Sequence, residues 1–150
     1  MEINASSIIH YPRSRVYLAY RDELPKVAKY LANVQAVNVL SRKESPGKVS
    51  LHNEWVGKGE IPKVAQGLLK PEMLRWDDFA DWEDARFLAN WTIKIRIFSD
   101  NFRCSGSNLM TEEGPNRTRV TLKGNLEISL KDIPGVPRIL AGTIAPQVEK

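Results

Sequence analysis

The chain has 150 residues, 42% apolar and 27% charged, with a net charge of +4. That is the composition of a single globular domain with a real core, and no run of 18 apolar residues offers a membrane span. The basic residues are dispersed rather than gathered into a run, which argues against nucleic acid and leaves only a weak, transient attraction to anionic membrane surfaces.

Cys104 is the one cysteine. An intramolecular disulfide is therefore excluded, and a reducing, cytoplasmic setting is expected. The first residues show no basic region followed by an apolar stretch, so no signal peptide is expected.

Residues 2 to 11 alternate as a strand, and Pro12 suits the start of a helix. Two short helices are expected next. The first covers about Ser14 to Tyr20. The second follows Asp22 as N-cap, with Pro25 in its first turn and Val27, Leu31 and Val34 as its apolar stripe. Strands are expected from Ala36 to Glu44 and from Lys48 to Val56, separated by Pro46-Gly47. The second of these places Val49, Leu51, Asn53 and Trp55 on one face.

Pro62 to Leu69 reads as an amphipathic helix between strands, either a movable lid or a fixed plug, with Leu68 and Leu69 on its apolar side. Met73 to Glu83 is a further strand, with Trp76, Asp78, Ala80 and Trp82 sharing a face. Arg86 to Asp100 has the most sustained alternation of all and predicts a strand of about a dozen residues, roughly twice the usual length. Its inward set includes Phe87, Ala89, Trp91, Ile93 and Ile95.

Phe102 to Glu112 puts Cys104, Asn108 and Met110 on one face, and Arg117 to Leu130 alternates to the end. A final helix opens at Pro137, with Leu140 and Ile144 on its apolar side. It is about 20 Å long against nearly 40 Å for a twelve-residue strand. Either the natural chain continues past Lys150, or the space beside the sheet is open at one end. The elements together predict an α+β protein with a large antiparallel sheet, wet outside and apolar inside.

The order strand, two helices, six strands, helix resembles the START-like, or Bet v 1-like, superfamily (SRPBCC). Its members include polyketide cyclase/dehydrase and lipid-transport proteins. Ile3 to Ile9 followed by Tyr11-Pro12-Arg13 looks like that group's first strand and helix start. Asp22 to Val27 looks like the start of its second helix, Glu60 to Leu69 like the segment beside its cavity mouth, and Val136 to Leu140 like the beginning of its last helix. The resemblance covers essentially the whole chain as one domain. It implies a helix-grip fold in which a curved seven-stranded sheet wraps the C-terminal helix, with a hydrophobic small molecule held between them.

Residue by residue, Trp55, Trp76 and Trp91 then shape the pocket. Asn53 and Asn108 orient a ligand's polar end, and Cys104 contributes an inert thiol. Leu68 and Leu69 gate the pocket, and Leu140 and Ile144 face it from the last helix. Four tryptophans with inward parity fit a pocket lining or a core that uses large side chains to fill a wide sheet. The inward polar residues Asn53, Asp78 and Asn108 must pair with each other, with water or with a ligand, unless a bulge shifts the register. A buried Asp78 would titrate high and could act as a general acid, which is the one enzyme-like feature.

The acidic cluster Asp77, Asp78, Asp81, Glu83 and Asp84 reads as a solvated hairpin, and His10 and His52 as exposed side chains. With a single cysteine, those two histidines make no ordinary zinc site. Gly57-Lys58-Gly59-Glu60 lacks the spacing of a P-loop. Neither metal nor cofactor is called for. Three functions follow: a carrier or binding protein for a lipid or polyketide-like compound, a cyclase or dehydratase using the same cavity, and a protein-interaction module. The third would go with the lack of a sizeable cavity and an exposed apolar groove.

Overall fold

A computed structural model describes residues 1–59, 74–96 and 99–129. Strand β1 (Glu2–Ile9) leads into helix α1 (Arg13–Asp22), then α2 (Leu24–Val27) and a 3-10 turn (Ala28–Tyr30). Strands β2 (Val34–Ser45), β3 (Lys48–Gly57), β4 (Arg75–Glu83), β5 (Leu88–Ile95), β6 (Phe102–Gly114) and β7 (Arg117–Ile128) follow. They form one curved antiparallel sheet in the order β1-β7-β6-β5-β4-β3-β2. The expected lid with Leu68 and Leu69, and the final helix with Leu140 and Ile144, lie outside the described residues.

The first two strands are the two edges of the sheet, so the helices between them bridge it from one edge to the other. Val16 and Tyr17 of α1 pack into a cluster with Val49, Leu51, Ala80, Trp82, Ala89 and Met110 from four different strands. Tyr17 meets Trp82 edge-on, with ring centroids 5.2 Å apart, and Phe87 at 5.3 Å. Leu24 and Ala28 form a second cluster with Val37 of β2. The fully buried Thr118 hydroxyl donates to the Tyr11 carbonyl (2.7 Å), tying the loop before α1 to β7.

The alternation read from sequence holds through β3 to β7. Asn53 pairs across to Asp78, Asp78 to Ile93, Ile93 to Cys104 and Cys104 to Leu126, one row spanning five strands. The register shifts fall elsewhere, in β2 and at the end of β6, so the inward parity of Asn53, Asp78 and Asn108 is real. At the β2–β3 turn Gly47 has φ +72°, a conformation that a residue with a Cβ resists.

Several expectations are corrected. The strand expected from Arg86 to Asp100 is eight residues, and β6, with 13, is longer. It starts late because Asp84–Arg86 form a 3-10 turn and Phe87 takes a left-handed conformation with φ 49°. Arg13 packs over the Phe87 ring at 3.9 Å, and the Met110 amide donates to the Phe87 carbonyl (3.0 Å).

The second helix is shorter than expected. Asp22 does not cap it, because its carboxylate is held by Arg21 (2.9 Å) and Arg42 (2.8 Å). Leu31 is exposed and Val34 begins β2, so the buried residues are Leu24 and Ala28. The acidic hairpin is not simply solvated either. Asp84 accepts from Tyr17 and Arg21, and Asp81 accepts from Ser50. His52 is on the outer face as expected, but it bonds Asp77 (2.9 Å) and stacks on Phe79.

Candidate functional site

Among the described residues, the inner face of the sheet, the end of α1 and the start of α2 line a half-open cavity of about 300 Å³. All four tryptophans, Trp55, Trp76, Trp82 and Trp91, line it, together with Asn53, Asp78, Cys104 and Asn108. Most of its remaining wall is aliphatic, including Leu51, Ile93 and Leu122.

Strand pairing explains the arrangement. Trp55 lies opposite Trp76, and their rings stack with centroids 5.9 Å apart. Trp91 lies opposite Gly106, which pairs with Gly124. The two glycines leave a bare strip of backbone on which the Trp91 indole lies. A Cβ on Gly106 would come within 2.5 Å of Trp91 Cζ2 and 2.2 Å of the Lys123 carbonyl oxygen. One on Gly124 would come within 2.8 Å of Trp91 Cη2.

Two polar groupings interrupt the apolar wall. In the first, Asp78 Oδ2 accepts from Asn53 Nδ2 and from Trp55 Nε1, both at 3.3 Å. In the second, Trp91 Nε1 donates to Asn108 Oδ1 (3.2 Å), and Asn108 Nδ2 donates to the Tyr20 hydroxyl (3.3 Å). Asn53 is 2% exposed, yet among the described residues its Oδ1 finds no hydrogen-bond partner, and neither does Trp82 Nε1. Each such orphan costs roughly 1–3 kcal/mol.

Burial dominates the electrostatics. It pushes the Asp78 carboxyl above the usual aspartate range, although the bonds from Asn53 and Trp55 pull the other way. It raises the Tyr20 hydroxyl too, helped by the nearby Asp78. Burial also raises the Cys104 thiol, which keeps it protonated and unreactive. Among the described residues, no group of three or more His, Cys, Asp or Glu side chains could hold a metal ion. No helix there is long and apolar enough to cross a membrane.

The structure thus brings Asn53, Trp55, Trp76, Asp78, Trp91, Cys104 and Asn108 onto one cavity wall. It also adds residues that the strand patterns had not singled out. Tyr20 and Leu24 reach the cavity from the helices. Their signal was present in the spacing of Val16, Tyr20 and Leu24, four residues apart, a helical stripe running through the junction of α1 and α2.

No protein-family model and no curated protein sequence matches the chain. Solved structures do. A Thermus thermophilus protein, TTHA0849, superposes with a TM-score of 0.65 at 24% identity, over 98% of this chain and 88% of the other. The Zhui aromatase/cyclase of a Streptomyces species superposes at 0.64 with 14% identity, over 99% and 86%. A START superfamily protein of Mycobacterium smegmatis gives 0.54 at 12%, over 99% and 88%. The chain has the START-like, Bet v 1-like (SRPBCC) α+β fold of helix-grip type.

Proposed function

We propose that this protein binds a hydrophobic small molecule, a lipid or polyketide-like compound, in the cavity on the inner face of its sheet. The observation that carries the proposal is the cavity itself: about 300 Å³, walled by every tryptophan of the chain, with a half-buried carboxyl among them. That volume lies at the lower end of the range for small-molecule sites. Apolar burial drives affinity, at roughly 25 cal/mol per Å². Asn53 and Asn108 orient the polar end of the ligand, and Trp55, Trp76 and Trp91 shape the space around its body. In the same reading Leu68 and Leu69 gate the cavity, and Leu140 and Ile144 close it.

Native mass spectrometry of protein purified without detergent, followed by organic extraction, tests the proposal. The expected result is a retained adduct of a few hundred daltons that partitions into the organic phase. Because every tryptophan lines the cavity, an added ligand must also perturb the intrinsic emission. A clean apo mass, together with emission indifferent to a series of neutral aromatic compounds, would overturn the reading.

A second reading adds chemistry to the same cavity. Asp78 lines it with a carboxyl that burial raises above the ordinary aspartate range, which suits a general acid or base acting on a polyketide-like chain. The aromatase/cyclase of the same fold lends this reading a precedent for the architecture. Product formation from a poly-β-ketone substrate, abolished in Asp78→Asn, is its expected signature.

A further inference from the structure

We infer that the corner between α2 and β2, centred on Tyr30, docks on a membrane surface rich in anionic lipid. The inference concerns a surface outside the cavity and goes beyond the binding reading above.

The corner is built by a short helical run with one buried side. Helix α2 passes directly into the 3-10 turn Ala28–Tyr30. Leu24 and Ala28, four residues apart, pack inward with Val37. Lys26, Lys29 and Tyr30, at spacings of three and four, share the exposed side. The turn closes as the Leu31 amide donates to the Ala28 carbonyl (3.0 Å) and the Val34 amide to the Leu31 carbonyl (3.3 Å). Every residue from Lys29 to Asn33 is exposed. Tyr30, at 78%, is the most exposed of the large apolar side chains among the described residues, and Leu31 is 39% exposed.

Charge gathers at the same place. Lys29 Nζ lies 4.9 Å from the centroid of the Tyr30 ring. The Lys58 amide donates to the Asn33 carbonyl (2.9 Å), which brings a third lysine to the corner from the end of β3. All three lysines are exposed, and among the described residues none enters an ion pair. The described acids closest to them in sequence, Asp22, Glu23 and Glu54, are matched to arginines. The fold thus surrounds an exposed aromatic ring with lysines that are dispersed in the sequence.

A bilayer interface answers each part of this corner. Tyrosine favours the headgroup level, with its ring toward the acyl chains and its hydroxyl in water. Lysine stems lie along apolar surface while their heads reach anionic headgroups. A stable protein partner needs about 20–30 residues on each side, a far wider surface than this corner. The placement fits as well. Leu24, on the inner side of the same helical run, lines the cavity. Docking sets that wall a helix diameter, roughly 10 Å, from the membrane, which suits a carrier of hydrophobic compounds.

Vesicle co-sedimentation tests the inference. The wild-type chain is mixed with vesicles of phosphatidylcholine, alone or with phosphatidylglycerol as a minor component. Ionic strengths of about 0.01 and 0.15 M set the Debye length at about 30 and 8 Å. Binding is expected to the anionic vesicles only, and to weaken at the higher salt. Lys26→Gln, Lys29→Gln and Lys58→Gln together are expected to lower the partition coefficient about hundredfold at low salt, since each lysine at an anionic surface is worth about fivefold. Lys43→Gln, Lys48→Gln and Lys123→Gln remove the same charge from exposed positions elsewhere and are expected to lower it less than about fivefold. Tyr30→Ser, at unchanged charge, is expected to lower it at least about threefold, the equivalent of roughly 25 Å² of ring entering the interface. No binding to either vesicle would overturn the inference. A control variant as weak as the corner variant would reduce the attraction to net charge and overturn it too, as would binding indifferent to Tyr30→Ser. A wild-type chain that ignores vesicles but self-associates, reversibly by Tyr30→Ser, would assign the corner to a second copy instead. No ligand is added, so each outcome leaves the retained-adduct test of the binding reading untouched.

Discussion

Asp77 and Asp78 are adjacent on β4, and the pleat sends them to opposite faces of the sheet. On the outer face, Arg96 donates twice to Asp77, at 2.9 and 3.0 Å, and His52 bonds it at 2.9 Å. Those bonds, Arg96 foremost, hold its pKa down to about 2 against partial burial. On the inner face, the donors to Asp78 among the described residues are the neutral Asn53 and Trp55, and burial drives its pKa up. One residue type thus meets two fates, decided by what the neighbouring strands contribute. Outside, Glu54 behaves like Asp77, held low by Arg96 and Asn38. There the carboxylates of Asp77 and Glu54 are matched to cations. The inner face instead sets one carboxyl among neutral side chains along the cavity wall.

The largest effect is expected from disturbing the inner face where it has no slack. Gly106→Ala would drive a methyl into both the Trp91 ring and the Lys123 carbonyl of the neighbouring strand. We expect a loss of about 3 kcal/mol, the upper end of the overpacking range, and a weakened emission response to ligand. Gly124→Ala, whose nearest contacts are looser at 2.8 and 2.9 Å, should lose less. Thr92→Val, exposed on the outer side of the same sheet, should stay within about 0.5 kcal/mol of wild type. Urea denaturation of the three variants gives the ranking. A Gly106→Ala protein as stable as wild type would mean that Trp91 is free to lift off the glycine strip.

The outer face should fail in acid. Asp77 has a folded pKa of about 2 against an ordinary 3.8, so it binds protons less readily in the folded chain. Its contribution is fully present above about pH 4 and disappears as the pH falls toward 2. Solvent screening keeps it on the order of 1 kcal/mol. Asp77→Asn should therefore cost about that much at neutral pH, with the two stability curves converging in acid. Urea midpoints taken at several pH values between 2 and 7 measure the gap. A gap that does not change with pH would assign Asp77 a packing role instead of a charge role.

The division of faces was legible in the sequence because strand alternation is local. Asn53, Asp78, Trp91 and Asn108 each follow from counting in twos along one strand. What decides the state of a polar residue is not local. Glu54 looks like a wet outward residue, yet it is 8% exposed because Arg96, 42 residues later, folds over it at 2.6 Å. The end of a strand is equally hidden. The alternation from Arg86 onward continues through Phe87, and nothing in the pattern says that Phe87 adopts a left-handed turn usually left to glycine or asparagine. Asp22 carries the signature of a helix cap, but two arginines, one on β2, compete for its carboxylate. Tyr20 escapes the strand patterns because it belongs to a helical stripe only a few residues long, interrupted where α1 gives way to α2.

The smallest effect has the opposite sign and is the most diagnostic. A carboxyl whose pKa is raised on folding prefers to be neutral in the folded chain. Asp78 therefore costs nothing below its ordinary value near 3.8, and the cost grows as the pH rises from there through its raised value. Asp78→Asn keeps the shape and an acceptor oxygen for Asn53 and Trp55 while removing the charge. It should stabilise the protein at neutral pH, by less than about 1 kcal/mol because the two donated bonds already offset part of the burial cost. The gain should vanish below about pH 4. Two isosteric substitutions at adjacent positions would then move stability in opposite directions at pH 7. A cavity-lining substitution that stabilises the fold is the mark of a residue kept for function at some expense of stability. If Asp78→Asn instead destabilises the protein at neutral pH, the carboxylate is serving the architecture as the anchor of Asn53 and Trp55, and the inner face is more like the outer one than its burial suggests.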